Sequence, residues 1–136
     1  MGNIYEFNPQ VYPTRLWVAK KADVSFDEID NGFHAINGSN ERIDFKAAFE
    51  ETEASIYATT YPVSNKESGW RGCLVLLNRK DLTMGTIAHE ASHCTDWLFE
   101  QLGVESGTTF DNGEARAYYL EWAFNRIIEV KQGKVK

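Results

Sequence analysis

Cysteine is scarce in this chain: only Cys73 and Cys94 occur among 136 residues. Two cysteines allow at most one bridge, which excludes a disulfide framework. Their spacing also excludes a Cys-based zinc knuckle, and apolar neighbours on both sides predict buried, reduced thiols. Basic residues are in deficit, 14 against 20 acidic, for a net charge of −6. A nucleic-acid binder needs a positive surface, so nucleic acid is not expected as a partner. The basic ending KQGKVK reads as the solvated end of a helix. No apolar run reaches the roughly 20 residues of a membrane span. The opening MGNIYEFNPQ has neither a basic region followed by an apolar one nor a Ser or Thr where a myristoylation motif needs it. A cytoplasmic protein without a membrane partner is therefore expected.

What is present is enough for a core. Hydrophobic residues make up 43% and aromatics 13%, which predicts one folded domain over residues 1–136. TRLWVAK reads as a strand with Leu16 and Val18 facing one way. DVSFDEIDNGFHAINGSN reads as a short helical turn between loops, and ERIDFKAAFEE as a short helix. EASIYATTYPV and WRGCLVLLN, separated by the polar SNKESG, predict an antiparallel hairpin. Pro62 places the first of these strands towards a sheet edge, and LVLL, apolar on both faces, places the second in the centre. A helix is predicted from Leu82 to Leu102, stopped by Gly103, and another from Glu114 to Val130, with Tyr118, Trp122, Ile127 and Val130 among its apolar positions. Strands followed by two long helices define an α+β class.

Histidine is scarce too, yet two of the three stand in one short motif, His89-Glu90-Ala91-Ser92-His93. Residues four apart share a helix face, so both imidazoles can point at one zinc ion. Glu90 is turned about 100° from His89, off the ion but beside a water activated there. A carboxylate at that place can take the water's proton and pass it to a leaving amine. The motif lies in an apolar helix after an apolar strand, and Ala88, Ala91 and Ser92 leave room for an ion.

A catalytic zinc needs a third protein ligand and an open position. Asp96 and Phe99 stand where a metzincin would carry glycine and a third histidine. His34, beside a turn far upstream, reads as a surface residue. Glu114, 21 residues after His93 in NGEARAYY, can be brought back by a loop and a second helix. Asp111 and Glu114 also form a D-x-x-E pattern that would cap that helix, so a ligand role and a capping role both fit Glu114. Asp96 would orient a histidine ring or a neighbouring arginine, or face solvent. Trp97 reads as core. Tyr118 or Tyr119 would donate a hydrogen bond to an oxyanion, or pack the core.

HEASH followed by EARAYY resembles the gluzincin metallopeptidases, and within them the small single-domain metallopeptidase-like chains of phage and prophage regions. The resemblance covers chiefly residues 70 to 125. It implies a zincin-like fold, a small mixed or antiparallel sheet on the HExxH helix, with a second long helix. It implies His89, His93 and Glu114 as zinc ligands, Glu90 as catalytic base, and a peptide or protein substrate along the edge strand ASIYATTY. GTTFD loosely resembles the aspzincin element, which keeps Asp111 as rival third ligand. Two functions follow as expectations: a zinc-dependent peptidase with Glu90 as base and Tyr118 as oxyanion donor, or a non-catalytic zinc domain that binds another protein.

Overall fold

The structure, a computed structural model, describes residues 3–53, 57–103 and 110–135. Among the described residues it is an α+β fold with a six-stranded mixed sheet and four α-helices, in the order β1 (Ile4–Phe7), β2 (Arg15–Lys20), α1 (Phe26–Gly32), β3 (Phe33–Ile36), β4 (Arg42–Ile43), α2 (Phe45–Glu53), β5 (Ala58–Asn65), β6 (Arg71–Leu77), α3 (Met84–Gln101) and α4 (Phe110–Lys131). The strands lie in the order β1-β2-β6-β5-β3-β4. β5 and β6 form the antiparallel hairpin, with Ala58 opposite Leu77 and Ser64 opposite Arg71. β6 is central as expected. Its other neighbour β2 runs parallel to it, from Arg15↔Gly72 to Lys20↔Leu77. None of the described helices is long and apolar enough to cross a membrane.

Alternation along the strands sends side chains to two cores, one on each face. Leu16, Val18, Cys73, Val75 and Leu77 pack with Ile87, Ala91, Cys94 and Leu98 of α3 and Ala123, Ile127 and Val130 of α4. Trp17, Ala19, Leu74 and Leu76 face the other way, onto Ile29 of α1 and Phe45 and Phe49 of α2. Helices thus cover both faces, which is why β2 between its charged ends and β6 after Arg71 are buried throughout. Each fully buried Leu, Ile or Val contributes about 1.5–3 kcal/mol relative to exposure.

Three expectations need correction. β5 is not an outer strand: β3 pairs with it, but only at Val63, Ser64 and Asn65. Among the described strands, Ala58, Thr59 and Thr60 are paired through β6 alone, so an edge persists only in the N-terminal half. The polar segment before residue 40 holds more than a turn. Ser25 and Glu28 form a capping box that starts α1, and β3 follows directly. Finally, α4 begins at Phe110 rather than Glu114. Asp111 is already helical, and an N-cap has non-helical dihedrals, so the D-x-x-E pattern is not the cap of this helix.

Candidate metal centre

The site begins with the stripe that holds α3 to the sheet. Ile87, Glu90, Ala91, Cys94, Thr95, Leu98 and Phe99 are its buried residues, spaced three and four apart. The Thr83 hydroxyl caps the helix start by accepting from the Thr86 amide at 3.1 Å. The helix stops at Gly103, which takes φ 70°, a value a glycine adopts freely.

Glu90 occupies an apolar stripe position, and only 5% of it is exposed. Its Oε1 accepts a hydrogen bond from the Thr60 hydroxyl of β5 at 2.8 Å. Burial raises the carboxyl above its ordinary value, while the Thr60 bond and the charges of His93 and His89 pull it down. A carboxylate with a raised pKa is a better proton acceptor near neutrality.

His89 and His93 lie one turn apart and are exposed. Their Nε2 atoms approach to 3.0 Å, with the rings at 90° to each other. As the pair stands this is a hydrogen bond between the rings, and the same closeness would let both nitrogens serve one ion about 2.0–2.1 Å from each. Beside them a cleft of about 310 Å³ runs between α3 and β5, lined by Ala58, Thr60, Pro62 and Cys73 below and His89, Glu90, His93 and Trp97 above. A second cleft, reached past Tyr57, Thr83 and Thr86, touches His89 and Glu90 from the helix start.

The remaining predicted residues are placed less closely. Glu114 is half-buried in the second turn of α4, a helix packed against α3. Among the described residues, no group of three His, Cys, Asp or Glu side chains is close enough to hold a metal. The histidine pair therefore stands without a third ligand there; residues 104–109 and the side chain of Asp111 lie outside the described part. Asp96 binds Arg116 of α4, tying the two helices together. Tyr118 is 67% exposed and lines neither cleft, whereas Tyr119 is in the core against Tyr12 and Trp122. Tyr119 lines neither cleft and so does not reach a substrate there; burial pushes its phenol far up, which only keeps it protonated. His34 is on β3 opposite Ser64, near Arg42 and Lys66, and burial and those two cations lower its pKa. Cys73 and Cys94 are both free and buried; a hydrogen bond to Cys94, then burial, raises the Cys73 thiol.

Two residues were missed. Thr60 holds Glu90, and the alternation of β5 puts it with Ala58 and Pro62 on the α3 side. Trp97 packs against the core as read, partly buried, but it also lines the cleft, and its buried Nε1–H has no acceptor among the described residues. Comparison with known protein families, with curated proteins and with solved structures finds no match to this chain.

Proposed function

We propose that the chain is a zinc-dependent hydrolase of the zincin kind, a gluzincin-like peptidase in which Glu90 is the general base. The observation that carries this reading is the convergence of the His89 and His93 Nε2 atoms at 3.0 Å beside a buried carboxylate. Neutral imidazoles suit zinc, and for the third ligand Glu114 near the start of α4 is our candidate and Asp111 its rival, although Glu114 is not grouped with the histidines among the described residues. When bound, zinc supplies a Lewis acid that polarises the substrate carbonyl and makes water more acidic.

The chain's own residues do the rest. Glu90 takes the proton of the attacking water on a carboxyl oxygen and returns it to the departing amine nitrogen. Thr60 fixes Oε1, which limits the carboxylate to one rotamer and leaves the second oxygen for proton transfer. Ala58, Thr59 and Thr60 offer backbone along which an extended peptide can pair. Tyr118, one turn beyond Glu114, is exposed but lines neither cleft, so no step is routed through it.

The test is Glu90→Gln in a peptide-library cleavage assay, with zinc measured on the same samples. Zinc retained and cleavage reduced about 10²- to 10⁴-fold is the expected result. Zinc bound with no cleavage even by the unaltered protein would point instead to a non-catalytic zinc domain.

A further inference from the structure

A third cleft, about 250 Å³, is lined by Lys20, Leu77, Arg79, Lys80 and Lys131. It shares no lining residue with the two clefts at the histidines. Its position follows from topology. β2 and β6 are parallel and end together at Lys20↔Leu77, the kind of place where ligands bind in sheets with parallel strands. The connection from β6 to α3 adds Arg79 and Lys80, and the last residue of α4 adds Lys131. Leu77 is buried and Lys20 and Lys131 are half-buried, so the cleft has an apolar floor with cationic walls.

The charge is out of character for the chain. Acidic residues outnumber basic ones, yet four of the 14 cations line this one cleft. Among the described residues, Asp81 is the only carboxylate paired with any of them. It accepts from Arg79 Nε at 3.1 Å and Nη2 at 3.2 Å. Arg79 is also stacked 4.5 Å over the Tyr57 ring, which fixes its guanidinium. Lys20, Lys80 and Lys131 have no ion pair among the described residues. The carbonyl end of α4, which would repel an anion, is partly covered by the amides of Gly133 and Lys134, bonded to Val130 and Glu129. Like charges within a Debye length, about 8 Å at physiological salt, repel one another unless a counter-charge sits among them.

We infer that this cleft binds a small polyanion of the phosphoryl class, a di- or triphosphate chain. A single carboxylate would leave most of the positive charge unmatched. A pyrophosphate unit carries several charges in a volume the cleft can take, and its oxygens suit one arginine fork and three mobile ammonium groups. The site does not depend on the hydrolase reading, and it would hold an anionic effector or cofactor away from the histidines.

The test is an ¹⁵N NMR titration of the zinc-free full chain with inorganic pyrophosphate at constant ionic strength, repeated with ADP. Saturable one-site binding is expected. Shifts should centre on Lys20, Leu77, Arg79, Lys80 and Lys131 and leave the His89 and His93 amides in place. ADP should move the same residues, and its affinity relative to pyrophosphate tells whether a nucleoside adds to the phosphoryl contact. Lys20→Gln with Lys131→Gln should weaken pyrophosphate at least about tenfold. Lys46→Gln, at an exposed position of α2, should not. Lys80→Gln, at a solvent-exposed position, gives the same direction if the double variant fails to fold. Non-saturating shifts spread over all lysines, or affinity unchanged in the Lys20/Lys131 and Lys80 variants, would overturn the inference.

Discussion

Glu90 is the residue that costs the fold something. A carboxylate in the apolar stripe of α3 is desolvated, and one hydroxyl, that of Thr60, is its hydrogen-bond partner among the described residues. Its folded pKa is raised, so the metal-free protein binds this proton more tightly than the unfolded chain does. The sign follows from linkage: stability is favoured below the unfolded pKa and lost as pH rises through the higher folded value. Glu90→Gln keeps the shape and can still accept from Thr60, but has no charge to bury. The metal-free variant is expected to be more stable than the parent at neutral pH by about 1 kcal/mol. Urea unfolding at several pH values should show the gap closing as pH falls to about 4. A gap that stays constant with pH would mean Glu90 is not the titrating group.

At the scale of elements, the pairing of β2 with β6 is the least forgiving. A Cβ added at Gly72 would overlap the Arg15 carbonyl and press on Trp17, and neither backbone nor indole can withdraw. Gly72→Ala should therefore cost about 3 kcal/mol or more, read as a lower denaturant midpoint. The arrival of α4 beside α3 matters for the site in another way. The Asp96–Arg116 pair ties α3 to α4 two residues beyond Glu114. If Glu114 is the third ligand, Glu114→Ala should weaken zinc at least about 100-fold, with Asp111→Ala close to the parent. Competition with a fluorescent chelator reads both; the reverse order would make Asp111 the ligand.

Over the whole molecule, the sequence was most legible where periodicity was strong. The β5–β6 hairpin, the central place of β6, and α3 with its stop at Gly103 all follow from alternation, helical spacing and a glycine. α4 was legible as a helix, with Ile127 and Val130 rightly among its buried positions and Trp122 partly buried against the core, but its earlier turns were misaligned by one residue. Its buried stripe is Tyr119, Ala123, Ile127 and Val130, not one through Tyr118, because two adjacent tyrosines give periodicity no way to choose. β1, β3 and β4 are four residues or fewer, too short to show a period, and of their pairings only that of β3 with β5 joins distant parts of the chain. The histidine pair could be read from the four-residue spacing. Thr60 could have been found by extending the alternation of β5 to the face of α3. The basic cleft could not, since its four cations come from three separate parts of the chain and meet only through the parallel pairing of β2 and β6.

The proposed site depends on His89 and His93 holding a metal. Elemental analysis of zinc per chain, on protein purified without a histidine tag and beside a His93→Ala control, tests it most directly. About one zinc in the parent and almost none in the control is the expected result. Absence of zinc from the parent after reconstitution at neutral pH, or equal zinc in both proteins, would contradict it.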